Sequence, residues 1–133
     1  MSVIKVTKAL HTAINAMSPA LSTAWPNVPF TPVDNVPFQR VDILFAQPNN
    51  QEYGPNYQEI GFMQVTLFYP HKVGLLDAMN RAELLRTTFR RGTSFINDSL
   101  AVVIERTPEI KPSQNDGERF VIPVIIRFYA NAY

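Results

Sequence analysis

His11 and His71 are the side chains in this sequence best suited to moving a proton near neutral pH or to binding a metal. A metal centre needs several converging ligands, and neither histidine has a cysteine or an obvious second ligand beside it. His11 falls at the polar edge of a helical pattern and His71 in a turn, so both read as surface histidines. Paired carboxylates across a cleft could do acid–base work. Glu52 and Glu59 flank a loop, and Asp116 and Glu118 flank a turn, where solvated side chains are the simpler reading. No serine lies in a Gly-x-Ser-x-Gly setting, and none of the five glycines builds a phosphate-binding loop. The chain has no cysteine, which excludes disulfides, thiolate metal sites and thiol catalysis. The expectation is a protein that is not an enzyme and holds no cofactor or metal.

Binding chemistry has more to work with. Arg81, Arg86, Arg90 and Arg91 form the densest basic cluster, partly offset by Asp77 and Glu83. They read either as a contact to phosphates or acidic patches, or as a solvated helix face ending in cations that suit the helix dipole. Tyr53, Tyr57, Tyr129 and Tyr133 could stack on bases, but they lack an interleaved basic surface, which favours protein contacts. Trp25 reads either as a packing anchor or as an interface hot spot.

Trp25 opens the most unusual stretch of the chain, residues 25–40. Pro26, Pro29, Pro32 and Pro37 alternate there with Val28, Phe30, Val33, Val36 and Phe38. Proline fixes φ, removes a donor and drives the preceding residue towards extended conformations. The segment is therefore a stiff arm that presents large apolar groups to a surface, its own or a neighbour's. That points to assembly.

The elements around the arm follow from periodicity. Ser2 can cap a helix over about Val3–Met17, with Val3, Val6, Leu10, Ala13, Ile14 and Met17 on one face. Ser18-Pro19 ends it. A strand is expected over Phe38–Ala46, then a polar loop over Gln47–Gln58, then a strand over Ile60–Tyr69 with apolar groups on both faces. Pro70–Gly74 turns into a second helix, about Leu75–Arg91, closed by Gly92. Its buried stripe is Leu75, Ala78, Ala82, Leu85 and Phe89. Leu84 lies off that stripe with no obvious partner within one copy. Leu100–Thr107 is a third strand, Pro108–Gly117 a second polar loop, and Arg119–Ala130 the last strand. Pro123 places that strand at an edge or at a bulge. The result is an α+β domain: a mixed, largely antiparallel sheet of four to five strands with both helices on one face.

The totals agree with a single domain over residues 1–133. Its length suffices for a core without metals or disulfides. Charged residues make up 17%, below the roughly 25% usual for soluble proteins, which leaves surface for subunit contacts. A net charge of +1 makes no global case for nucleic acid or anionic membrane. No apolar run is long enough to span a bilayer. The N-terminus lacks the pattern of a signal peptide, so the expectation is a protein made and kept in the cytoplasm of the producing cell.

Taken in order, these landmarks resemble the small tail-terminator-like proteins of long-tailed phages and prophages. The matching pieces are Lys8-Ala9-Leu10, Ala24-Trp25-Pro26-Asn27 with Phe30-Thr31-Pro32, and Arg40 opening a strand. Gly61-Phe62-Met63-Gln64-Val65, Tyr69-Pro70, Gly74 with Ala78 and Ala82, and Phe89-Arg90-Arg91-Gly92 follow. Asp116-Gly117, Ile122-Pro123-Val124 and Ala130 close the series. The resemblance spans nearly the whole chain, and its best single piece is the Pro-Asn-x-x-Phe-x-Pro arm. It implies a compact protomer that forms a ring, usually a hexamer, which caps the tail tube, stops its polymerisation and gives the head connector a docking face. Its place would be the virion tail or neck, its synthesis the bacterial cytoplasm. A ring needs two different surfaces per subunit. Trp25, Phe30, Phe38 and Leu84 are the candidates for these, and the Gln47–Gln58 and Pro108–Gly117 loops for contacts to tube or connector. Arg81, Arg86, Arg90 and Arg91 are candidates to line a lumen that passes DNA. A head-closure or connector-adaptor neck protein is the alternative, and a small nucleic-acid-binding module a further one.

Overall fold

In a computed structural model the chain is described over residues 2–18, 21–32, 36–50, 54–55, 57–70, 75–116 and 119–132. The elements run α1 (Ser2–Asn15), β1 (Ser22–Ala24), β2 (Phe38–Phe45), β3 (Tyr57–Pro70), α2 (Leu75–Thr88), β4 (Ser94–Asn97), β5 (Leu100–Ile104), β6 (Glu109–Ile110), β7 (Gln114–Asp116) and β8 (Arg119–Ala132). The strands form one sheet in the order β1-β2-β3-β8-β5-β4, with β6 and β7 also paired to β8. Among the described residues only β1 and β2 are parallel; every other strand pairing is antiparallel.

The α+β class and the mixed sheet agree with the sequence, but the sheet has eight strands rather than four to five. The additional strands are short, and each was hidden for a physical reason. β1, β6 and β7 are two or three residues long, too short for alternation to show. β4 and β5 form a hairpin whose turn residues, Asp98 (φ 49°) and Ser99 (φ 68°), take the left-handed conformations of a tight two-residue turn. Neither is the glycine that normally advertises such a turn.

β3 and β8 are the spine, paired over 14 residues from Tyr57↔Ala132 to Pro70↔Arg119. Alternation puts Met63, Val65, Leu67 and Tyr69 on the same face as Ile122, Val124, Ile126, Phe128 and Ala130, and all are buried. α1 packs over β4 and β5, and α2 over β3 and β8. Both helices join that one core, α1 through Val6, Ala9, Leu10, Ala13, Ile14 and Met17, α2 through Ala78, Ala82, Leu85 and Phe89. Each large side chain fully buried there, such as Leu10, Phe89 or Phe128, contributes about 1.5–3 kcal/mol.

Several details differ from expectation. Val3 is exposed and Ala9 takes its place in the buried stripe. α2 ends at Thr88, with Phe89 N–H still donating to the Leu85 carbonyl. Gly92 (φ 88°) therefore does not close the helix; it opens the β4 hairpin, its N–H donating to the Ile104 carbonyl. Leu84 packs against the core rather than standing free.

Pro123 lies inside the sheet, not at its edge. In an antiparallel strand a residue's N–H and C=O point the same way. The Pro123 carbonyl accepts from Lys111 N–H, so its missing donor also faces the outer side of β8. There the ladder is already broken, between β6 and β7. The Ser2 cap, the 71–74 turn with Gly74, and Pro19, Val33 and Gly117 fall on side chains or residues outside the described set.

Candidate functional site

Within the chain, the described parts of the arm lie along the β1/β2 side of the sheet. Ser22–Ala24 adds β1 in parallel to Phe38–Arg40, and Gln39 Nε2 donates to Thr23 Oγ1 at 2.9 Å. Val28 N–H then returns to the Trp25 carbonyl at 3.2 Å. Asn27 has φ 59°, so Pro26 and Asn27 hold the two central positions of a turn that requires positive φ at the second. On the helix side, the Trp25 ring lies 4.2 Å from that of His11 on α1, and Trp25 packs against the core. On the other side, Phe30 meets Phe38 at 5.2 Å and Phe38 stacks on Phe68 at 4.5 Å. Two cations bracket that stack: Arg119 lies 4.8 Å from the Phe38 ring and Arg40 5.7 Å from that of Phe68. Arg119 Nη1 also donates to the Val36 carbonyl. What the arm offers outward is Val28, 54% exposed, and Val36.

The four arginines of the α2 region do not form one patch. Arg81 is buried in the helix stripe, which corrects its expected exposure. It sits beside Tyr69, where burial pulls its pKa down and the Tyr69 charge acts the other way. Burial pushes the Tyr69 hydroxyl up, with Arg81 lowering and Asp77 raising it. Arg86 Nε donates to the Pro108 carbonyl at 3.1 Å and Arg91 Nε to the Glu105 carbonyl at 3.2 Å. Those two arginines brace the helix end against the β5–β6 segment. Arg90 is exposed.

Arg91 also borders a polar groove of about 620 Å³ shared with Glu105, Arg106, Thr107, Glu109 and Arg127. Glu109 pairs with Lys111 and Arg127 at 3.2 Å each, and these hydrogen bonds hold its carboxyl below the usual range. An apolar groove of about 610 Å³ lies between α1 and β4, lined by Ala9, Thr12, Ala13, Ala16, Phe95 and Ile96 among others.

Of the chemistry-bearing residues, His11 is half-buried under Trp25 rather than at a free surface, and burial lowers its pKa. Glu59 is buried in β3, not solvated in a loop. His71, Glu52, Tyr53, Glu118 and Tyr133 lie outside the described residues, as does the Asp116 side chain. Among the described residues no three histidines or acids gather where they could hold a metal ion, and no helix is long and apolar enough to cross a membrane. Sequence reasoning missed three exposed apolar side chains outside the arm and α1. They are Leu76, 76% exposed on the outer face of α2, Ile96, 71% exposed on β4, and Leu44 on β2, 48% exposed. The signal for Leu76 and Met79 was present: they lie off the Ala78–Phe89 stripe.

No curated protein matches the chain at a significant level. A solved protein structure superposes with a TM-score of 0.73, covering 98% of this chain and 92% of its own length at 22% identity, which supports the fold alone. The sequence model of the family described as phage tail terminator protein matches residues 5–128, from the first turns of α1 almost to the end of β8. The chain thus belongs to the phage tail terminator protein family, a family of structural phage tail proteins.

Proposed function

We propose that this protein assembles with itself into a ring, a hexamer, that caps the finished tail tube. The ring ends tube polymerisation and offers a face to the head–tail connector; its place is the tail or neck of the virion. The observation that carries this reading is the exposure of large apolar side chains at unlike sites, Val28 and Val36 on the arm, Leu76 and Met79 on α2, Leu44 and Ile96 on the sheet, in a chain of the tail terminator family. Closed rings need such unlike surfaces, because each subunit meets its two neighbours differently.

Trp25, Phe30, Phe38 and Leu84 serve these surfaces from within: they fix the turn and the helix that display Val28, Val36, Leu76 and Met79. Arg90, with what remains of the Arg86 and Arg91 guanidinium groups, is the part of the basic cluster placed to meet DNA or an acidic partner; the buried Arg81 holds α2 to β3.

The test is native mass spectrometry of the purified chain, alone and with the tail tube protein, together with a tube polymerisation assay. The expected result is a single closed oligomer that halts tube growth at substoichiometric amounts. Tubes that grow unchecked in its presence, with the chain remaining monomeric, would refute the reading.

A further inference from the structure

Among the described residues two strand edges of this sheet stand open, and they complement each other. β4 is the last strand on one side. On the other side β1 covers only Phe38–Arg40 of β2, so Val41–Phe45 has no strand beyond it among the described residues. The direction of the backbone groups follows from the printed ladders. Ala46 N–H donates to the Ile60 carbonyl across β3, so alternation turns the N–H and C=O of Val41, Ile43 and Phe45 outward. Thr93 C=O accepts from Ile104 N–H towards β5, so the same alternation turns those of Ser94 and Ile96 outward. Neither edge carries the proline or lysine that commonly guards an exposed strand.

We infer that β4 of one copy pairs with the open half of β2 of the next, in parallel, with Ile96 opposite Leu44. The inference rests on the ring reading above and specifies its interface. The strand order makes β2 and β4 run the same way, since three antiparallel steps after β3 restore the direction. A rotation about an axis along the strands therefore brings the two edges together as a parallel pair, the relationship a closed ring repeats.

In a parallel pair the inward-facing residue of one strand bonds to the residues before and after its partner. With Ile96 opposite Leu44, Ile96 N–H meets the Ile43 carbonyl and Phe45 N–H meets the Ile96 carbonyl. One step along, Ser94 N–H meets the Val41 carbonyl and Ile43 N–H the Ser94 carbonyl. Every outward group named is then used, except the Val41 N–H and the Phe45 carbonyl at the two ends. The side chains agree independently. Leu44 pairs with Phe62, and Ile96 with Ala101, on the sheet face away from the helices, so the two exposed residues meet on one face. On the helix side Phe95 comes beside Ile43, both half-buried apolar groups packed against the core.

The test is hydrogen exchange on the wild-type protein, free and in the ring, read residue by residue. The amides of Ser94, Ile96, Ile43 and Phe45 should slow together on assembly, while Phe95 and Leu44, already bonded within the subunit, stay unchanged. A ring confirmed by native mass spectrometry without that alternating protection overturns the edge pairing and leaves the ring reading standing. Absence of a ring even with the tube protein present overturns both. As a second arm, Leu44→Cys/Ile96→Cys introduces the only thiols into a chain that has no cysteine. A short bis-thiol linker should give a ladder of oligomers ending at the ring number, whereas mixed single variants stop at dimers. A ring in which the double variant stays monomeric on a denaturing gel overturns the proposed register. Both side chains are exposed, so Ile96→Lys should leave the monomer melting unchanged and weaken association roughly tenfold or more. Unchanged association counts against the pairing.

Discussion

The Trp25 ring lies against His11 of α1, their centroids 4.2 Å apart. The contact ties the start of the proline arm to the helical layer, and it places the only tryptophan of the chain beside a titratable group. His11 Nε2 is buried with no hydrogen-bond partner among the described residues, and burial lowers the pKa below the ordinary 6.5. The unfolded chain then binds a proton that the folded chain resists. The resulting stability is fully present above the unfolded pKa and is lost as pH falls through the folded one. Trp25 fluorescence should titrate with a midpoint below 6.5, and melting temperature should fall between about pH 7 and pH 5. His11→Leu should remove most of that slope; a slope unchanged in this variant would assign it elsewhere.

Trp25→Ala should cost about 1–3 kcal/mol in urea unfolding, less than a fully buried tryptophan because the ring is only partly covered. It should also loosen the ring, since the turn that displays Val28 loses its anchor. Reduced stability with ring size and affinity intact would make the arm a purely internal brace.

Gly61 carries a separate constraint. It pairs with Phe45 and Phe128, whose rings meet edge to face at 5.9 Å. A Cβ there would collide with the Leu44 carbonyl oxygen and crowd Phe45 Cα. Gly61→Ala should destabilise by about 1–3 kcal/mol through displaced backbone. The check is the urea midpoint; an unchanged value would mean that β2 shifts freely.

The two helices, the β3 and β8 spine and their buried faces were legible because long periodic segments leave a clear record. Met63–Tyr69 and Phe120–Phe128 alternate, and Ala78–Phe89 repeats at helical spacing. What escaped was set by tertiary pairing. β4 needs β5 beside it, and its turn uses Asp98 and Ser99 in conformations their types do not announce. The apolar content of the arm was visible, but not its partners: Trp25 reaches His11 from the end of β1, whose place beside Phe38–Arg40 is set by pairing that a three-residue strand does not advertise. Arg81 looked like surface charge because arginine is mostly exposed, yet position 81 falls beside the 78, 82, 85 stripe.

The arginines can be separated by their bonds. Arg86→Ala and Arg91→Ala should each cost about 1 kcal/mol, because each removes a hydrogen bond to a loop carbonyl. Arg90→Ala should leave thermal stability unchanged and reduce DNA passage or partner binding. A stability loss at Arg90 as large as at Arg86 would show that all three are structural.

The central claim, a terminating ring, is tested most directly by electron microscopy of phage particles assembled without this protein. The account predicts overlong tail tubes without heads. Tails of normal length that merely lack heads would contradict it and assign the chain to the neck instead.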